Sequence, residues 1–438
     1  MTVQEKIKSK EAKIGIVGLG YVGLPLALAF CSKKFRVLGF DISEKVVEKI
    51  QTGCSYIKNI KDEDIRIRRD QGVLEATLDF SRLGEVDVII ICVPTPLSKH
   101  REPDLGPILR TGQAIVPYLR KDQLVILESS TYPGTTDTDL AGELEKSGLK
   151  KDEDFFLAYS PEREDPGNET FSTSTIPKIV GADSPQALEM ATAVYEGVIS
   201  KVVPVTSSRT AEAIKLTENI FRSVNIALVN ELKVIFDAMG IDVWDVIEGA
   251  STKPFGFMPF YPGPGLGGHC IPIDPFYLTY KAREYGVPTR FIELAGEINT
   301  NMPQIVAAKT GQALSLISRK ALNGSKILLI GMAYKKNVDD MRESPSLVLM
   351  ELLEDEGVDV AFHDPFVPII PHTREHNELA GRKTIDLTPE AISGFDVVLI
   401  STNHDSVDYQ MLVDHAKLIV DTRNAMKDFA GNAVVVKA

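Results

Sequence analysis

Cys270 stands in a run, Tyr261 to Asp274, in which the eight residues before His269 include four glycines and two prolines. Such a segment is neither helix nor central strand; it is a fixed loop that lets backbone approach a ligand closely. A thiol held there can attack a carbonyl once it is activated. A second constellation opens the chain. Gly18, Gly20 and Gly23, with Tyr21 and Val22 between them, follow an apolar run and precede a helical one, and Asp41 comes 18 residues after Gly23. That spacing fits a dinucleotide turn, with the diphosphate on a helix N-terminus and the carboxylate on the adenosine ribose. The acid favours NAD over NADP, because a 2′-phosphate would be repelled. A nicotinamide cofactor and a nucleophilic cysteine together point to an oxidation that passes through a thioester.

Other residues could serve that chemistry, and each has a plainer reading. Lys215 and Asn219 are four apart in a helical stretch and share a face, where they could hold an oxyanion; without Cys270 a solvated face is the better reading. Thr95 and Thr131 lie in turns after buried strands and offer hydroxyls to a cofactor, or are ordinary turn residues. Asp274 precedes Pro275 and a helical stretch, so it either caps that helix or works beside Cys270. A helix dipole there, with Lys215, could lower the thiol pKa from about 8.5. Glu162, in the Ser160 to Arg163 turn, is a candidate general base for water. Arg342 precedes a Ser344-Pro345 helix start that binds an anion or simply begins a helix.

Two α/β series must position these groups. Lys13–Val17, Arg36–Phe40, Val86–Val93, Gln123–Glu128, Phe155–Tyr159, Lys178–Gly181 and Val202–Val205 read as strands alternating with helices, which predicts a parallel, doubly wound sheet. No glycine or proline interrupts the chain between Pro204 and Gly240, and apolar residues recur there at helical spacing. A helix of about 30 residues would be about 45 Å long and suits a connector or subunit interface. A second series begins at Lys326–Ile330 and continues through Val358–Phe362, Asp396–Ile400 and Lys417–Val420. The expected fold is therefore α/β, with two doubly wound Rossmann-like domains joined by a long central helix. The expected domains are 1–205 for NAD, 206–305 for the helix and cysteine loop, and 306–438 for the second sheet.

Composition narrows the function classes. The 438 residues carry a formal charge of −13, with 44% hydrophobic and 25% charged side chains. The charge disfavours nucleic acid and anionic membrane surfaces as partners. No apolar run approaches the roughly 20 residues that span a bilayer, and residues 1–12 are polar, so a cytoplasmic protein is expected. Cys31, Cys54, Cys92 and Cys270 show no metal-ligand spacing, and Cys31 and Cys92 read as small core residues. The seven histidines are scattered; His363-Asp364 and His404-Asp405 read as turn residues, and no metal is expected.

Taken together, these motifs resemble those of the UDP-glucose/GDP-mannose dehydrogenase family. The resemblance runs from Lys13 to Lys427. It rests on the Gly18 to Gly23 turn, Val93-Pro-Thr-Pro96, Ser130 to Gly134, Lys215 with Asn219, Gly267 to Cys270 with Asp274, and Tyr334-Lys335 with Arg342 to Ser344. The cysteine loop, Ser160 to Gly167 and Ser251 to Gly256 look like the N-acetylhexosamine branch. The resemblance implies oxidation of a sugar 6-hydroxyl to a carboxylate with two NAD. Carried over, Cys270 is the nucleophile; Lys215 and Asn219 stabilise the oxyanion; Glu162, Asp274 and Thr131 manage protons and water. Gly18, Gly20, Tyr21, Val22, Gly23, Asp41, Thr95, Thr131 and Arg342 would meet the cofactor. Glu162, Arg163, Lys215, Asn219, Gly267, Lys335 and Arg423 would meet a UDP-sugar, with UDP-GlcNAc first and UDP-GalNAc, UDP-ManNAc or UDP-glucose as alternatives. The long helix would form a homodimer or a larger homo-oligomer. One departure stands out. Many relatives carry an arginine about 14 to 16 residues before the cysteine that reaches a neighbouring subunit's sugar, whereas Pro254 to Pro259 has none and Lys253 is the nearest cation.

Two other classes compete. A two-electron β-hydroxyacid-type dehydrogenase also places a lysine and an asparagine four apart, but needs neither Cys270 nor a second α/β domain. A non-catalytic nucleotide-sugar binder would keep no reason for Cys270, Lys215 and Asp41 together.

Overall fold

The computed structural model describes residues 1–57, 60–98, 102–163, 175–268, 271–373 and 375–438. Within it the chain divides into two compact units. The first comprises Met1–Glu218 and Phe276–Val287, the second Asn219–Pro275 and Pro288–Ala438.

The first unit is built on an eight-stranded sheet of β1 (Lys13–Val17), β2 (Arg36–Phe40), β3 (Leu74–Thr77), β4 (Val88–Ile91), β5 (Leu124–Leu127), β6 (Phe156–Tyr159), β7 (Lys178–Ala182) and β8 (Val202–Val205). Their order is β3-β2-β1-β4-β5-β6-β7-β8. β4 and β5 are buried along their whole length, Val-Ile-Ile-Ile and Leu-Val-Ile-Leu, as strands covered on both faces must be. From β1 the chain winds outward through β2 and β3, then crosses back to place β4 on the other side of β1, so a crevice opens at the carboxyl ends of β1 and β4. The expected parallel sheet needs one correction: β7 runs antiparallel to β6, pairing Tyr159 with Gly181. Apolar alternation marks a strand but carries no direction. β3, a four-residue edge strand containing Glu75, was too short and polar to read.

The helix Ser208–Met239 runs for 32 residues. In the second unit its later part is followed by helices Val243–Ser251 and Arg290–Ala313. A five-stranded, wholly parallel sheet then forms from β9 (Lys326–Ile330), β10 (Asp359–His363), β11 (Val397–Ile400), β12 (Leu418–Asp421) and β13 (Val434–Lys437), ordered β10-β9-β11-β12-β13. Its switch point lies between β9 and β11, which is where a doubly wound sheet binds ligand. Ser344 caps helix Pro345–Asp355 as expected, accepting from the Ser346 N–H. The edge strand β13 was not foreseen.

Candidate active site

The glycine turn of the first unit is shaped by close approach. Gly18 has φ +90°, and a Cβ there would meet the Cys92 carbonyl at the end of β4. Gly23 begins helix Gly23–Ser32, and its Cα lies so near the Gly18 carbonyl that no side chain fits. Around the place of a Gly20 Cβ nothing lies within 4 Å, and Tyr21 is 57% exposed. Asp41 accepts from the Leu19 N–H and the Ser43 N–H, both at 2.9 Å, and stays half-exposed. An open backbone at a helix N-terminus beside a half-exposed carboxylate fits a dinucleotide diphosphate and ribose.

Beyond this turn, side chains from helix Ser208–Met239 tie down the ends of β5 and β6. Glu212, fully buried, accepts from the Thr131 hydroxyl (3.2 Å), the Gly134 N–H (2.8 Å), the Thr136 N–H (2.9 Å) and the Thr136 hydroxyl (2.7 Å). Burial pushes its carboxyl up to about 7 against the pull of these bonds. Three residues later Lys215, 4% exposed, donates to the Glu162 carbonyl at 2.6 Å and lies 3.8 Å from the Glu162 carboxylate. Arg163 forks onto Glu218 and donates to the Pro177 carbonyl at 2.7 Å. Thr95 is buried, and its carbonyl accepts from the Tyr277 hydroxyl at 2.9 Å. Glu128 and Lys178 form a buried ion pair at 2.8 Å, with the Tyr195 hydroxyl also on Glu128. A small cleft is lined by Val22, Glu128, Glu162, Arg163 and Lys178.

The second unit organises a different set. Asn219, 1% exposed, donates to the Asp274 carboxylate and accepts from Arg222. Asp274 is the first residue of helix Asp274–Glu284, so the side chain expected near a helix start faces Asn219. The glycine loop is anchored at its base, where the Gly263 N–H donates to Asn230 at 3.0 Å. Asn230 in turn donates to Asn299 at 2.9 Å. Gly263 lies against the Arg423 guanidinium and Gly267 against Tyr334, each too close for a Cβ. The Gly268 N–H donates to the Arg342 carbonyl at 2.8 Å. Arg423 donates to the Ser401 carbonyl at 2.8 Å, and burial draws it down to about 10. The Arg342 side chain pairs with Asp340, and Lys335 is half-buried on the turn after β9. His269 and Cys270 lie outside the described residues.

Two separate machineries in one chain, a dinucleotide turn and a glycine loop laid on a second α/β sheet, match three consecutive family models. These are the UDP-glucose/GDP-mannose dehydrogenase NAD binding domain over residues 12–199, the central domain over 209–301 and the UDP binding domain over 328–428. The chain belongs to the UDP-glucose/GDP-mannose dehydrogenase family. It is 39% identical over 360 residues to the UDP-N-acetyl-D-glucosamine 6-dehydrogenase of Pseudomonas aeruginosa, covering 82% of this chain and 84% of that one. It is 33% identical to the NDP-N-acetyl-D-galactosaminuronic acid dehydrogenase of Ralstonia nicotianae, covering 94% and 95%. The solved UDP-D-ManNAc dehydrogenase of Pyrococcus horikoshii superposes with a TM-score of 0.88 at 33% identity, covering 97% and 98%.

As a member of this nucleotide-sugar dehydrogenase family the chain uses NAD, and its first unit carries the family's NAD-binding domain. Among the described residues no helix is long and apolar enough to cross a membrane, and no cluster could hold a metal ion. Cys31 is buried as expected; burial pushes its thiol up to about 12, which leaves it inert. Sequence reasoning missed Glu212, although a carboxylate three residues before Lys215 on an uninterrupted helix was there to notice. It also missed Asn230 and Asn299, whose pairing crosses 69 residues and leaves no local signal.

Proposed function

We propose that the chain oxidises the 6-hydroxymethyl group of a UDP-N-acetylhexosamine, UDP-GlcNAc first, to the uronic acid. The observation that supports this reading most is the buried Lys215 ammonium on the Glu162 turn. Burying an ammonium costs several kcal/mol unless it is paired, and such groups cluster at reacting centres. Bound NAD would supply the hydride acceptor at C6, and two molecules of it would account for the four electrons. Lys215 and Asn219 stabilise negative charge on the C6 oxygen as it develops. Glu162 and Asp274, with Thr131, move protons and orient the hydrolytic water.

Cys270 carries the second half of the reaction. Its thiolate adds to the aldehyde carbon and gives a thiohemiacetal. Loss of the second hydride leaves a thioester. Water then adds to the thioester carbonyl, the C–S bond breaks, and the thiolate returns with release of the carboxylate. Gly18, Gly20, Tyr21, Val22, Gly23, Asp41 and Thr95 hold the dinucleotide, with Arg342 approaching it. Arg163, Gly267, Lys335 and Arg423 hold the UDP-sugar.

Substrate choice rests on the relatives, which act on GlcNAc, ManNAc and GalNAc derivatives. The higher identity to the GlcNAc enzyme favours that epimer. Mass spectrometry of products from UDP-GlcNAc, UDP-GalNAc, UDP-ManNAc and UDP-glucose tests it. A uronic acid formed fastest from UDP-GlcNAc is expected, and a faster reaction on another sugar moves the assignment to that one. Turnover requires 1–205, 206–305 and 306–438 to act as the cofactor, central and UDP-sugar domains.

The oligomer belongs to the same reading. Phe221, Leu228, Ile235 and Met239 leave an apolar stripe on the long helix, 45 to 63% exposed. An exposed stripe at that spacing on a soluble chain marks a contact with another copy. We assign it to a homodimer, tested by the mass in solution of Leu228→Glu against the unaltered chain. The chain's net charge and the cytoplasmic reading both agree with a freely diffusing nucleotide-sugar substrate.

A further inference from the structure

His404 and Asp364, which read in the sequence as turn residues, form a buried pair that pins both ends of the turn carrying Tyr334 and Lys335. Both lie at carboxyl ends of strands, Asp364 after β10 and His404 after β11. Asp364 is 1% exposed and His404 is fully buried. The Asp364 carboxylate accepts from the N–H groups of Met332 (2.6 Å) and Ala333 (3.0 Å), which begin the turn. Its other oxygen accepts from Phe366 (2.7 Å) and Val367 (3.0 Å). At the far end of the turn the Asn337 N–H points at His404 Nδ1, 2.9 Å away.

That contact decides the tautomer. A backbone N–H can only donate, so Nδ1 must offer a lone pair and the ring proton sits on Nε2. Nε2 faces Asp364 Oδ2 at 3.1 Å, the acceptor it needs. Asp364 thus fixes the imidazole, and the imidazole fixes Asn337, which has φ +62°. The Asn337 side chain adds a bond to Asp405 at 2.6 Å. The turn also presents Tyr334 to Gly267 and Gly268 of the cysteine loop.

We propose that His404, held as its Nε2–H tautomer by Asp364, is a positioning residue for UDP-sugar binding that sets the place of Lys335 and Tyr334. This rests on the assignment of the UDP-sugar to the second unit. His404 touches no substrate atom in this scheme; it acts through the turn. Two variants divide its two bonds. In His404→Asn the amide oxygen falls near Nδ1 and can still accept from Asn337. In His404→Gln the amide nitrogen falls near Nε2 and can still meet Asp364, but Asn337 loses its acceptor.

Isothermal titration of the full chain with UDP, in the absence of NAD, tests the proposal. A freed turn end is expected to weaken UDP binding about tenfold in His404→Gln and no more than about threefold in His404→Asn, the scale of one buried hydrogen bond. NAD affinity should stay unchanged in both. UDP affinity in His404→Gln equal to wild type overturns the proposal, as does an equal loss of UDP and NAD affinity in both variants. Wild-type protein that binds no UDP, or binds it independently of Lys335 in a Lys335→Ala variant, overturns the underlying assignment instead. Imidazole 15N shifts of the unaltered protein give a check that needs no variant: Nδ1 must lack the proton, and the opposite tautomer sinks the idea.

Discussion

The first strand of each sheet ends in the same device, used to opposite ends. After β1, Gly18 at φ +90° packs against the Cys92 carbonyl; after β9, Gly331 at φ +84° packs against the Thr402 carbonyl. In each unit a carboxylate after the second strand of that sheet accepts from N–H groups of the turn: Asp41 from Leu19, Asp364 from Met332 and Ala333. The difference lies in what remains. Asp41 stays half-exposed beside an open Gly20, so its oxygens can meet a ribose. Asp364 is sealed, with five donors including His404, and has nothing left for a ligand. One turn is built to bind a dinucleotide; the other is built to hold its own side chains still. A shared strand–turn–helix pattern therefore does not imply a second cofactor site.

The largest expected effect separates chemistry from binding. Lys215→Ala in the first unit should lower kcat by about 10³-fold, or about 4 kcal/mol, with the KM for UDP-sugar little changed. Lys335→Ala in the second should raise that KM about tenfold and spare kcat. Steady-state kinetics of both variants would undo the division if the two patterns were exchanged. Next in size, Asp364→Ala strands its donors in the interior and should cost about 3–5 kcal/mol of stability. Asp41→Ala should cost under about 1 kcal/mol, because water reaches the groups it leaves. Urea titrations of the pair would show this, and equal losses would contradict it.

Two buried carboxylates sharpen the contrast further through pH. Burial raises the Glu212 carboxyl from 4.5 to about 7 despite its four donors. The folded state then holds its proton more tightly than the unfolded chain does. Stability from this group is full below about 4.5 and falls as pH rises to about 7, by about 3 kcal/mol. Asp364 goes the other way. Burial alone would raise it, but the bonds from His404, Ala333 and Phe366 bring its carboxyl below the ordinary value. Its contribution is present above the unfolded pKa and is lost only as pH falls through the folded one. Unfolding free energies between about pH 4.5 and 7 should slope downward, and Glu212→Gln should flatten that slope; an unchanged slope would remove Glu212 as its source. The smallest effect is on cofactor affinity: Asp41→Asn should raise the KM for NAD about tenfold, about 1.4 kcal/mol, and leave the UDP-sugar KM alone.

Much of this was legible in the sequence because it is local. Gly18 to Gly23 with Asp41, the long run free of glycine and proline, and Ser344-Pro345 each carry their structural meaning within a few residues. The strands of both sheets announced themselves as apolar runs, except the polar edge strand β3; β13, Val434–Lys437, is equally apolar but lies at the end of the series and was not singled out. What could not be read is pairing across long separations. Thr131 was foreseen as a cofactor or proton-handling group, but its bond to Glu212 spans 81 residues. His404 and Asp364 looked like two unrelated turn residues until the fold set them 3.1 Å apart. Asn219 and Asp274 were each singled out, yet no spacing rule joins side chains 55 residues apart. The reversal of β7 was equally invisible, since hydrophobic pattern does not encode strand direction.

The central claim is a four-electron oxidation through Cys270, and the most direct test counts electrons. With excess NAD and a limiting amount of UDP-GlcNAc, the NADH formed per sugar consumed should be two, with the uronic acid as product. One NADH per sugar, with an aldehyde as product, would contradict the account and remove the thioester role from Cys270.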